Sequence, residues 1–399
     1  MFQSNLVGID TAKASFAVFE WKGPKSSVSR SVVRDKIPEY FQKMEKKILV
    51  MEACGGSHHW SRKFQAMGHE VKLIAPHKVI PFRKANKNDR NDAMAIALAA
   101  SCPTMEFVKT KEIWQQDLQS IHRIRERLVH NQTSLVNEIR GLLLEYGVTI
   151  PMGITHVRSR LPGILNSDND ELSPLIRRLL VDLQDELLST MKRIEKCDKE
   201  LDSFFKQSEA CQRIAKIEGI GVITATAICA SCPDPALFKN GRQFAAWLGL
   251  VPGHTQTGGK DSKPIMLGIT KKGDKYLRKL LVQGSMSMIG NLRHYLNNNQ
   301  GSKNECQEQI SSVKMNTSKR SPEEPCRKRK KLSVGKKPKS EPKLEWLKRL
   351  VEEKGAQKAA VAMANRNARV IWALLKSKQD YDPKRKGENA IDTPKNCKV

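Results

Sequence analysis

The chain has 399 residues, enough for two or three domains with a sizeable buried core. Lysine and arginine number 70 against 42 aspartates and glutamates, a formal charge of +28 that favours polyanionic partners through phosphate neutralisation and counterion release. Aromatic residues make up only 6 %, which argues against a single-strand binder built on stacked bases, and no apolar run approaches the ~20 residues that cross a bilayer.

From Asn5 the pattern is a strand, a break at Asp10–Lys13, and a second strand in SFAVFEW. A third run, SVSRSVV, follows across a turn at Gly23–Lys25. Helical spacing over Ile37–Lys46 leads to KILVME, an apolar run short enough for a buried strand. A helix through His58–Met67, a strand at EVKLIA and an Ala-rich helix from Asp89 to Ala100 complete residues 1–110. A three-strand meander followed by alternating helices and strands is the order of an RNase H-like α/β domain.

Residues 111–210 change character. Leu118, Ile121, Leu128, Leu135, Ile139 and Leu142 fall on a near-heptad seam, and a second such stretch runs from Ser173 to Phe205. Two long helices joined by the Pro/Gly-rich VTIPMGITHVRSRLPG predict an antiparallel hairpin or coiled-coil arm. A Gly-rich, mainly helical segment occupies 211–296, and a Ser/Pro/Lys/Arg insert over 297–343 lacks the apolar residues to fold alone. Two final helices span 344–382, ahead of a polar tail over 383–399. The nine cysteines are odd in number and scattered, and the chain opens without a signal-peptide core, which together fit a reducing cytoplasm. Cys229 and Cys232 form the CxxC of ICASCPD, read as ordinary helix-end residues.

Four acidic residues carry the chemistry. Asp10 and Glu52 close short apolar runs, and Asp89 and Asp92 share one helix face at a spacing of i, i+3. Taken singly, each is more readily a turn, strand-end or first-turn residue than a functional one. Together they sit where an RNase H-type nuclease gathers oxygen ligands for Mg²⁺, with Mn²⁺ as an alternative. Two such ions about 4 Å apart activate a nucleophile and stabilise the leaving oxygen of a phosphodiester.

Three further motifs point to phosphate. Gly219 and Gly221 lie in KIEGIGVITATAI, which resembles a helix-hairpin-helix; a simple turn between helices is the alternative. The loop GLVPGHTQTGGKDSKP sets hydroxyls at Thr255, Thr257 and Ser262 beside Gly258, Gly259 and Lys260. A hydroxyl beside a lysine can attack phosphorus, although most such loops are only loops. Lys271, Lys272 and Arg278 belong to ITKKGDKYLRKLL, a basic turn and helix suited to phosphate contacts or to a solvated face. The run Arg327–Lys331 suits an arm that wraps nucleic acid.

Taken in order, VGIDTAK, VMEACGGSHHW, KNDRNDAMAIALAA, IEGIGVITATAI, GRQFAAWLGLVPG, GITKKGDKYLRKLLVQG and AAVAMANRNARVIWALL resemble the DEDD-type transposases of the insertion-sequence 110 family, including its 1111 branch. The resemblance covers nearly everything outside the basic insert and the last residues. It implies a RuvC-like domain whose Asp10, Glu52, Asp89 and Asp92 hold Mg²⁺, and a C-terminal transposase domain supplying a hydroxyl nucleophile, normally serine. It further implies double-stranded DNA as substrate, a structured guide RNA in some members, and a dimer or tetramer with a composite centre, at the bacterial nucleoid. One departure stands out: this chain has Gln256-Thr257-Gly258 where relatives carry Ser-Ser-Gly, Ser-Thr-Gly or Gln-Ser-Gly. Thr257 is then the expected nucleophile, with Ser262 as the alternative. The other readings of the same residues are a junction-resolving nuclease that uses water, and a non-catalytic nucleic-acid-binding protein.

Overall fold

The computed structural model describes residues 5–23, 26–83, 88–167, 172–232, 234–255, 265–293 and 341–382. The chain divides into two compact units, Met1–Asp117 and Leu118–Val399.

The first unit is built on a five-stranded sheet of β1 (Leu6–Thr11), β2 (Ser15–Trp21), β3 (Ser27–Val33), β4 (Ile48–Glu52) and β5 (Glu70–Ile74), in the order β3-β2-β1-β4-β5. The meander β1-β2-β3 is antiparallel, and β4 and β5 add parallel to β1. Strand alternation sorts the side chains onto two faces. Val7, Ile9, Leu49 and Met51 pack with α1 (Ile37–Gln42) and α2 (Ser57–Ala66) through Ile37, Phe41, Trp60 and Phe64. Leu6, Ala17, Phe19, Val50 and Ile74 face the other way, onto the alanines of α4 (Asp89–Ala100) and Val79 of the short α3 (Pro76–Val79). Gly8 makes that second layer possible. A Cβ built there would lie 2.3 Å from the Ala93 carbonyl oxygen and 2.9 Å from the Ala97 Cβ, so α4 crosses β1 on bare backbone.

The expected helix over Ile37–Lys46 stops at Gln42. A tertiary partner takes the end of its final turn: the Lys46 ammonium donates to the Met67 carbonyl oxygen at 2.6 Å.

The second unit takes up α5 (Ile113–Glu145) from Leu118 and continues through α6 (Ile154–Asn166) and α7 (Pro174–Gln207). Leu135, Val136, Ile139 and Leu143 of α5 share one apolar cluster with Ile176, Leu180 and Leu187 of α7. Leu118 clusters instead with Leu201, and Arg125 Nε meets Asp198 Oδ1 at 2.5 Å. Early residues of α5 therefore meet late residues of α7, and the two helices run antiparallel. Ser173 caps α7, its hydroxyl accepting from the Ile176 amide. The expected Pro/Gly-rich connection is largely helical. Pro162 sits inside α6, but Val157, Leu161 and Leu165, four residues apart, are buried on one face of the helix and hold it against α5 and α7.

The remainder comprises α8 (Glu209–Ala215), α9 (Val222–Ser231), α10 (Gly241–Trp247), the hairpin β6 (Pro252–Thr255) and β7 (Ile265–Ile269), α11 (275–293), α12 (Glu341–Lys354) and α13 (Ala356–Ser377). Ala364, Ala368, Ile371 and Trp372 of α13 lie in the same core as Ile214, Ile228, Phe244 and Leu281. A mixed sheet followed by a mostly helical remainder matches the coarse architecture expected from the sequence. The insert expected over 297–343 lies outside the described residues up to 340. Among the described residues, no helix is long and apolar enough to cross a membrane.

Candidate active site

Strand parity brings the acidic residues together. Asp10 follows Leu6 and Gly8 on the face of β1 that meets α4, and Glu52 follows Val50 on the same face of β4. Asn88 begins α4 by accepting the Asn91 amide at 2.8 Å, which sets Asp89 and Asp92 in the first helical turn. There the exposed amide dipoles favour negative charge. Asp92 is buried and Asp89 exposed, with Asp10 and Glu52 in between.

The electrostatics of Asp10 register the convergence. Burial raises its carboxyl above the ordinary aspartate range; Asp92, Glu52 and Asp89 push it further in the same direction, and Arg83 opposes them. Arg83, at the end of the turn after α3, donates from Nη2 to Glu52 Oε1 at 2.7 Å. Its Nε lies 3.3 Å from Asp92 Oδ1. Among the described residues, no three His, Cys, Asp or Glu side chains close into a ready coordination shell. The donor chemistry nonetheless suits a hard divalent cation: carboxylate oxygens from a strand, a strand end and a helix start, with mutual repulsion that cationic charge relieves.

The basic and glycine motifs divide. Gly219 has φ +83°, and a Cβ there would come within 2.8 Å of the Gly284 carbonyl oxygen on α11. Its bare backbone is thus spent on packing, while Gly221 begins α9 and is exposed. Lys271 and Lys272 are exposed, and Lys271 holds φ +55°. The cause is close backbone packing: the Lys271 amide donates to Gly249 O at 3.2 Å, and a Cβ on Gly273 would strike the Trp247 carbonyl oxygen at 2.0 Å. Arg278 donates to Leu248 O at 3.1 Å, so part of its guanidinium closes the end of α10. Thr257, Lys260 and Ser262 lie outside the described residues, in the stretch between the paired Thr255 and Ile265.

Sequence reasoning missed two residues. Arg83 stands in the aperiodic PFRK, where no spacing singles it out. His122 is 3 % exposed, with Nδ1 3.1 Å from Tyr276 Oη and Nε2 3.1 Å from Thr226 Oγ1. The Thr226 hydroxyl donates to Val222 O at 2.8 Å, so it accepts from Nε2–H, and Nδ1 accepts from the Tyr276 hydroxyl. The signal available was a histidine on the apolar seam of α5.

Comparison with known proteins decides the family. A family model described as "Transposase IS116/IS110/IS902 family" matches residues 211–299, and one described as "Transposase", of the DEDD type, matches residues 7–148. The transposase for insertion sequence element IS1111A of Coxiella burnetii is 38 % identical over 94 % of this chain and 91 % of its own length. The chain belongs to the IS110-type transposase family. A probable family 20 transposase of Pseudomonas aeruginosa is 35 % identical over 94 % of this transposase and 98 % of its own length. The transposase for insertion sequence element IS1328 of Yersinia enterocolitica is 37 % identical over 70 % of this chain and 82 % of its own.

Proposed function

We propose that this transposase cuts and rejoins double-stranded DNA at the ends of a mobile insertion sequence and at its target, in a reaction that requires Mg²⁺ or Mn²⁺. The observation that carries the reading is the gathering of Asp10, Glu52 and Asp92, with Asp89 beside them, at one end of the sheet on its α4 face. These four carboxylates would hold the cation, which when bound supplies Lewis acidity to the scissile phosphate and its departing oxygen.

The rest falls to the chain's own groups. The Thr257 hydroxyl, or that of Ser262, attacks phosphorus; a phosphoester to the protein forms and the bond to one deoxyribose oxygen breaks. Rejoining reverses the step with a new DNA hydroxyl, so no strand end is left free. Lys260, the exposed Lys271 and Lys272, the remaining edge of Arg278 and the amide at Gly221 would hold the backbone without reading sequence. A guide RNA encoded beside the gene would supply the target choice, and a dimer or tetramer would be the working form, in the cytoplasm at the nucleoid.

Strand transfer on element-end and target DNA, with the flanking non-coding RNA supplied, tests this. Asp10→Ala and Asp92→Ala should each lose activity by several orders of magnitude while DNA binding persists. Full activity in either variant removes the metal-dependent reading. Mass spectrometry of the trapped protein–DNA adduct should place it on Thr257 or Ser262. Nicked products with no adduct would favour a water-using junction nuclease, to which the threonine in place of the family's serine lends some weight.

A further inference from the structure

Arg83 has no part in the chemistry proposed above, yet it makes the shortest contacts to the acidic residues. The Nε–Nη2 edge of its guanidinium spans two carboxylates on different elements: Glu52 Oε1 at 2.7 Å on β4 and Asp92 Oδ1 at 3.3 Å on α4. The guanidinium stays charged at any accessible pH, so the bridge is held by a permanent cation. Both carboxylates are about nine-tenths covered, with side-chain exposures of 12 %, whereas the Arg83 side chain is 35 % exposed. The acids are therefore largely enclosed, while about a third of the arginine side chain faces solvent.

A divalent ion ligated by the same oxygens would sit about 2.1 Å from them. Such an ion and the guanidinium would compete for the same carboxylate oxygens, with their like charges drawn together. We infer that Arg83 is a displaceable counter-ion of the acidic site, competing with divalent cations for Glu52 and Asp92 and swinging outward when one binds. This rests on the metal reading and adds to it a built-in threshold: the site takes up its cofactor only where the ion outcompetes the arginine. Arg83 is thus a positioning residue. It keeps two repelling carboxylates converged and gives way when a cation takes over that task.

The test uses the full chain with Mn²⁺ as probe, titrated by electron paramagnetic resonance of the free ion. Arg83→Met should bind Mn²⁺ on the order of tenfold more tightly than the parent, as expected for removal of a competitor with a typical coupling. It should also melt at a lower temperature in chelator and gain more from added Mn²⁺. Arg83→Lys keeps the charge but cannot span both carboxylates, so it should fall between the two; it carries the test if the methionine variant does not fold. Equal or weaker affinity in the Arg83 variants, with binding still lost in Asp10→Ala, overturns the counter-ion role and leaves the metal reading standing. Mn²⁺ binding that is unchanged by Asp10→Ala overturns both.

Discussion

His122 shows how a single residue can couple the second unit to pH. Its two partners fix the neutral tautomer, and burial, followed by Arg125, lowers its titration to about 4. The unfolded chain takes up this proton near pH 6.5 and the folded chain near 4. Between those values the unfolded state therefore binds more protons, and stability falls as the pH is lowered through that window. The ceiling on the loss is about 3 kcal/mol. Urea melts at pH 7.5 and 4.5 should show a smaller difference for His122→Gln than for the parent. An equal difference would mean that other groups govern acid sensitivity. At this scale the sequence was half legible. The four acidic residues could be singled out because two of them end apolar runs and two open a helix, and the structure gathers them at one end of the sheet. Arg83 and His122 could not, because each is defined by partners far away in the chain.

Elements were the most legible level. All five strands and α4 fall where alternation and alanine periodicity put them, since a buried strand or a close-packed helix leaves a regular trace in sequence. What misled was punctuation. Two prolines and two glycines in VTIPMGITHVRSRLPG read as a connection, yet the Val157–Leu161–Leu165 face outweighed the one hydrogen bond lost at Pro162. The reverse holds at Gly8, which looks unremarkable inside a strand but sets the depth at which α4 lies. Gly8→Ala should destabilise the first unit by about 3 kcal/mol, the upper end of ordinary overpacking, because the obstacle is a backbone carbonyl and not a side chain that can turn aside. Chemical denaturation measures the loss. Strand transfer should suffer as well, because α4 carries Asp89 and Asp92 and any retreat from β1 draws them away from Asp10.

For the whole molecule, charge and motif order pointed to the transposase family that the comparisons then show, while no sequence pattern fixes how many copies assemble. The basic run Arg327–Lys331 belongs to the segment between α11 and α12, and as a proposed nucleic-acid arm it would act through electrostatics. Replacing these five residues with glutamine should flatten the dependence of log K on log salt for DNA binding by up to about 4. The melting temperature should not move. An unchanged slope would assign the phosphate contacts elsewhere, with Lys271 and Lys272 the next to replace.

The position of α13 has a genetic consequence. Its apolar face completes a core whose other members, α8 to α11, are all translated before the basic stretch. A reading-frame slip in the codons of that basic stretch would leave the sequence of the acidic unit intact and deprive the second unit of Ala364, Ala368, Ile371 and Trp372. Copies of the element damaged there would yield a protein with its carboxylates in place and an uncovered apolar core in the second unit. Such a product is one for proteolysis to clear, and the element would be silenced through protein turnover with its acidic residues unmutated.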